Sequence, residues 1–130
     1  MMNANPYQQY RQNAVMSAGK GDLTLMLYNG AIKFIKQSIK FVDEKNIEGS
    51  HNTIVRVQDI IAHLNETLNM DYEISKNLEL LYDYVNRRLV EANIKKDSNI
   101  LREVLGLVED LRNTWSEALK LSGSASAASL

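Results

Sequence analysis

From Asp22 to Ile35 the chain reads Asp-Leu-Thr-Leu-Met-Leu-Tyr-Asn-Gly-Ala-Ile-Lys-Phe-Ile. Wound as a helix, its apolar positions (Leu23, Leu25, Met26, Leu27, Tyr28, Ala31, Ile32, Phe34, Ile35) sweep about 260° of the circumference, where a core-facing stripe needs about 100°. One side packs inside a domain. The surplus calls for a cover, supplied by another segment or by a partner. Three later segments carry narrower stripes. Ile54, Val57, Ile61, Leu64 and Leu68 alternate at spacings of three and four, a seam of coiled-coil type. Ile74, Leu78, Leu81, Val85, Leu89 and Ala92 repeat it, and Ile100, Leu101, Val104, Leu107, Val108, Leu111, Trp115 and Ala118 form a fourth. No run alternates with the period of two that a half-buried strand needs.

The breaks between stripes set the element boundaries. Gly19-Lys20-Gly21 interrupts the chain, and Asp22 is the predicted N-cap of a helix running to Asp43 or Lys45. Lys45 to Gly49 reads as a turn, with Ser50 capping the second helix. Asn69 to Asp71 separates the second helix from the third, and Asn93 to Asp97 the third from the fourth, which Asp97 or Ser98 caps. Four helices of about 20 residues span about 30 Å each. Short connections make neighbours antiparallel, so the expected fold is all-α, an up-down four-helix bundle over residues 22–121. Residues 1–21 form an arm, or a short helix packed on the bundle, with the only proline, Pro6, and with Tyr7, Tyr10, Val15 and Met16. Tyr7 and Tyr10 share one side of any helical turn, which makes the arm a candidate cover for the first helix. The small, polar tail 122–130 is expected to be disordered.

Bulk properties narrow the function classes. A chain of 130 residues can bury a real core as one domain. A net charge of −1 lacks the basic excess of a nucleic-acid protein. The absence of cysteine excludes disulfides and thiolate metal sites. No apolar run is long enough for membrane insertion, and Met1 to Pro6 lacks the basic and apolar regions of a signal peptide, so a cytoplasmic protein is expected.

Candidate chemistry is sparse. Glu48 and His51 have the Glu-x-x-His spacing of bundle di-metal centres, but they straddle a predicted turn and have no second copy. His63, with Asp59 four residues before it, reads as a boundary histidine. No metal, cofactor or catalytic residue is assigned, and no phosphate loop or nucleophile elbow is present. Tyr82 and Trp115 fall at core spacing and read as packing. Arg87, Arg88, Lys95 and Lys96 cluster near the end of the third helix. They fit a solvated face with local pairing such as Asp83 to Arg87, or a docking patch for an acidic partner.

Several blocks together resemble the flagellin export chaperone family FliS: the pair Tyr7 and Tyr10, the small-residue segment after Val15, Leu27-Tyr28-Asn29-Gly30-Ala31-Ile32, the run Leu81 to Asn93, and Glu103-Val104 followed by Leu111-Arg112 and Trp115. The likeness runs from Asn5 to about Leu119. It departs at Gly19-Lys20, where the family often has Ser-Pro, and at Asn29, where aspartate is common. The resemblance implies an antiparallel bundle in the bacterial cytoplasm. It also implies a chaperone that binds the disordered C-terminal segment of flagellin, prevents premature polymerisation and delivers the subunit to the flagellar type III export apparatus. With the apolar surplus, this places partner binding on the outward face of the first helix (Leu25, Met26, Tyr28, Ile32) and on the arm (Tyr7, Tyr10, Val15). Such a protein is a monomer or a homodimer. The rival readings are a helical interaction module that homodimerises through the first helix, and a di-metal enzyme.

Overall fold

The computed structural model describes residues 20–129, with side chains from Gly21 to Leu121. Four helices follow one another: α1 (Lys20–Asp43), α2 (Ile47–Glu66), α3 (Glu73–Lys95) and α4 (Ser98–Ser129). Among the described residues no strand occurs. The arm, with Tyr7, Tyr10 and Val15, lies outside the described residues.

The helix ends follow from specific hydrogen bonds. α1 begins at Lys20, so Asp22 sits within the first turn, where its charge complements the exposed N–H groups. α1 stops in a Schellman turn: the Asn46 N–H donates to the Phe41 carbonyl (2.8 Å), the Lys45 N–H donates to that of Val42 (3.0 Å), and Lys45 takes φ 59°. Asn46, rather than Ser50, caps α2, its Oδ1 accepting from the Gly49 N–H at 2.8 Å. A β-carbon on Gly49 would lie 3.0 Å from both Asn46 Cγ and Phe41 Cδ1, so this tight entry uses the missing side chain. Ser50 falls one turn inside, buried, with its hydroxyl on the Ile47 carbonyl. Asp97 caps α4 as the sequence suggests, accepting from the Asn99 N–H at 2.9 Å. The α4 backbone stays helical to Ser129, into the small, polar tail whose composition (Gly123 and four serines among residues 122–129) does not favour helix.

α1 packs on α2 and α4, and α3 packs on the same two, closing a ring in which the diagonal backbones do not approach each other. The centre holds Ala31, Ile32 and Ile35 of α1, Ile54, Val57 and Ile61 of α2, Val85, Leu89 and Ala92 of α3, and Leu101, Val104 and Val108 of α4. Between α1 and α2 the Ser38 and Thr53 hydroxyls meet at 2.6 Å, and each also reaches a carbonyl of its own helix. Buried polar groups are thus paired where the two helices are closest in sequence.

Two expectations are corrected. The inward line of α3 starts at Ser75, not Ile74, because the Ser75 hydroxyl is tied to the Asn69 carbonyl at 2.6 Å; Ile74 turns outward and is 62% exposed. The wide apolar arc of α1 is also largely absorbed. A helix shared by two neighbours buries more than a single stripe: Tyr28, Ala31, Ile32 and Ile35 are in the core, with Leu27 and Phe34 packed against it. Its solvent line (Asp22, Met26, Asn29, Lys33, Lys36, Lys40, Asp43) is polar apart from Met26. The exposed surplus reduces to Leu23 and Met26.

Ile61 is fully buried, so Ile61→Ala is expected to cost about 2–5 kcal/mol. Ile74→Ser should stay within about 0.5 kcal/mol of the parent. Urea unfolding midpoints of the two variants check this ordering.

Candidate partner-binding site

At the end of the bundle where α1 begins, the four helices do not close completely. A cleft of about 270 Å³ opens there, lined by Gly21, Thr24 and Tyr28 of α1, Leu64 and Leu68 near the end of α2, Leu78 and Tyr82 of α3, and Trp115 of α4. The lining is mainly apolar, and three side chains give it shape. The Tyr28 and Tyr82 hydroxyls meet at 2.5 Å across the bundle, with both residues almost fully buried. The Trp115 indole N–H donates to the Gly21 carbonyl at 2.8 Å and fixes one wall. Gly21 admits α4 closely, since a β-carbon there would lie 2.6 Å from Leu119 Cδ2. That packing also explains why Lys20 and Gly21 are helical, where Gly19-Lys20-Gly21 reads as a break: tertiary contact outweighs local propensity.

Burial in the apolar floor pushes the Tyr28 phenol above the ordinary tyrosine range, partly opposed by its bond to Tyr82. Burial pushes the Tyr82 phenol up further, with the bond to Tyr28 adding to the effect. Neither group ionises near neutrality, so the floor is a neutral hydrogen-bonded pair. Outside it, the helices that meet at this end expose Leu23, Met26, Ile74 and Leu121, and the connection from α2 to α3 exposes Met70 and Tyr72. Apolar side chains around an apolar cleft suit a partner with an apolar stripe of its own.

The α3–α4 side is polar by contrast. The Tyr84 hydroxyl donates to Glu103 at 2.6 Å and Arg88 Nε donates to the same carboxylate at 2.7 Å; these two contacts hold Glu103 below the usual carboxylate range. Arg88 also pairs with Glu91, and Lys95 reaches Glu91 at 2.7 Å. Local pairing on α3 therefore runs through Glu91. Asp83 instead accepts from Asn65 of α2.

The sequence-derived site residues separate into groups. Met26 is exposed and Leu25 half-buried on α1. Tyr28 and Ile32 are core residues, which corrects their placement on an outward face: both are buried, and Tyr28 reaches Tyr82 of α3. Tyr7, Tyr10 and Val15 fall outside the described residues. Tyr82 is in the core and Trp115 packs against it, as their spacing suggests, and both also line the cleft. A signal for the first was present, because a phenol on an aliphatic seam needs a partner and Tyr28 and Tyr82 are the phenols on two such seams. Glu48, His51 and His63 are exposed, and His51 Nδ1 lies 2.9 Å from Asn93 Nδ2. Among the described residues no cluster of three or more histidines or carboxylates could hold a metal, and no helix is long and apolar enough to cross a membrane.

The same architecture is found in a crystal structure of a bacterial flagellar chaperone, with TM-score 0.75 at 18% identity over 88% of this chain and 94% of that one. The fold is thus that of a flagellar chaperone bundle. The profile of the family described as Flagellar protein FliS matches residues 3–122, and the chain belongs to that family. Its relatives include the flagellar secretion chaperone FliS of Bacillus subtilis (strain 168), 45% identical over 89% of this chain and 87% of the relative. The flagellar secretion chaperone FliS of Escherichia coli (strain K12) is 31% identical over 92% and 93%. A secretion chaperone is a binding protein, not a member of an enzyme class. In this chain, three of the family-like blocks contribute Tyr28, Tyr82 and Trp115 to one cleft.

Tyr28→Phe or Tyr82→Phe strands the remaining hydroxyl in the floor and should cost about 1–3 kcal/mol. The double variant should cost less than the sum, as a double-mutant cycle will measure. Below about pH 10 both phenols are protonated whether the chain is folded or unfolded, and they add no pH dependence. Above it the unfolded chain releases protons that the buried pair retains, so stability falls as pH rises. Alkaline denaturation should be shallower for the double phenylalanine variant.

Proposed function

We propose that this flagellar secretion chaperone acts in the cytoplasm by binding the C-terminal segment of flagellin, holding it unpolymerised and passing it to the flagellar type III export apparatus. The observation that carries the reading is the apolar cleft and its exposed apolar surround at the start of α1, in a chain of this family. A subunit that polymerises through amphipathic terminal helices exposes apolar stripes before assembly. A chaperone can cover those stripes in helix-in-groove fashion. The client loses conformational entropy when it orders on the chaperone, which limits affinity per unit area and leaves release feasible without nucleotide hydrolysis.

In this proposal Leu23, Leu25 and Met26 touch the client, together with Tyr7, Tyr10 and Val15 of the arm. Tyr28 and Ile32 act from beneath by fixing the shape of α1. Gly21, at the start of α1, lines the cleft, and in this reading the arm that precedes it in sequence competes with the client for that surface.

Co-purification with roughly the last forty residues of a flagellin, about two ordinary helices plus a connection, tests the function directly. A new complex mass by light scattering is expected. A doubled mass of the chaperone alone, with no peptide uptake, would favour the homodimerising module. Leu23→Glu combined with Met26→Glu should weaken the flagellin segment about tenfold or more, an effect of about 1.4 kcal/mol, with the melting temperature unchanged. Tyr10→Ala should weaken it without unfolding the bundle, and deleting residues 1–18 should change client affinity. Parent-like affinity in all three variants would remove this surface from the mechanism.

A further inference from the structure

The opposite end of the bundle, where α1 passes to α2 and α3 to α4, carries a second pocket of about 360 Å³ formed by Val42, Lys45, Asn46, Ile47, Ser50 and Lys96. Val42 and Ile47 supply apolar wall, while the two lysines approach from different turns. Lys45 (φ 59°) and Lys96 (φ 52°) are the non-glycine residues with left-handed backbone among those described. Each occupies the position just past a helix end where glycine is the unstrained choice. A β-carbon there carries a steric penalty. Two independent turns bear that penalty, and both place a lysine in the lining of one pocket. Strain retained twice at one place points to a use for the side chains.

Neither ammonium has an internal counter-ion. Lys45 is exposed and makes no ion pair among the described residues. Lys96 donates only to the Asn93 amide oxygen, at 2.5 Å, and its partial burial lowers its affinity for the proton. Three of the nearby acids are occupied. Asp43 pairs with Arg102, Asp97 caps α4 and Glu91 takes Arg88 and Lys95. Glu44 and Glu48 stand exposed at the same end and form no ion pair with either lysine. The basic cluster of the sequence thus divides: Arg88 and Lys95 are neutralised along α3, and Lys96 joins Lys45 instead. Ile47 (69%) and Ile94 (78%) add unusually exposed apolar side chains to this end.

We infer that this end docks a short acidic segment of a partner protein, one aliphatic side chain entering the pocket while flanking carboxylates pair with Lys45 and Lys96. The charge complementarity selects such a segment over a basic or purely apolar one. Because the pocket lies at the far end from the α1 cleft, the partner and the client can be held at the same time. The inference is independent of what the cleft binds.

The probe is a fluorescein-labelled peptide alternating leucine with glutamate, titrated by anisotropy against the full chain. The same peptide with glutamine in place of glutamate is the control. Saturable, salt-sensitive binding of the glutamate peptide is expected, with the glutamine peptide weaker by about tenfold or more. K45Q/K96Q should lose binding to a similar degree, and K45R/K96R should keep it within about threefold. K45G/K96G should also lose binding, while raising the melting temperature by about 3 °C or more as the strain is relieved. Absent binding, equal binding of the two peptides, parent-like binding by K45Q/K96Q, or a lower melting temperature for K45G/K96G would each overturn the proposal.

Discussion

The hydrogen bond between Tyr28 and Tyr82 spans a diagonal that the backbones leave open. α1 and α3 sit on a diagonal of the ring and are separated by the core, yet their phenols meet across it at 2.5 Å. Two aromatic side chains meeting end to end reach across the whole bundle. The cleft lies where they stand. Below them the core is aliphatic and closed, from Ile32 and Ile61 through Val104. Above them Trp115 and Gly21 finish the opening. Core architecture and cleft are therefore two sides of the same pair of residues.

Much of the bundle was legible because α2 and α4 carry seams that match helical geometry without ambiguity. Ile54, Val57, Ile61 and Leu64 are all buried, as are Leu101, Val104 and Val108. α1 was harder to orient because apolar residues nearly encircle it. Periodicity gives a direction only when one face dominates, and a helix clasped by two neighbours has no single face. Patterning therefore puts Tyr28 and Ile32 outward, although they are central. α3 was misphased by one residue at its start, where the bond from Ser75 to Asn69 decides the matter. Such a link between a hydroxyl and a loop carbonyl leaves no mark on hydrophobic patterning. The cleft itself was hidden because its lining comes from all four helices, and only their assembly reveals that Gly21, Leu68, Tyr82 and Trp115 are neighbours.

The two ends of the molecule have different characters. One has an apolar opening around a neutral hydroxyl pair. The other has a pocket edged by lysines in strained turns. The flank between them, along α3 and α4, is tied up in ion pairs through Glu91 and Glu103. If the two ends bind as proposed, the molecule separates its recognition tasks by place.

The indole that forms one wall of the cleft belongs to the only tryptophan in the chain. Its N–H is held by a backbone carbonyl and its ring is partly shielded at the opening. Any guest seated there would alter the polarity around a single emitter, so the protein carries a built-in optical reporter of its own occupancy, and no extrinsic dye has to be attached near the surface under study.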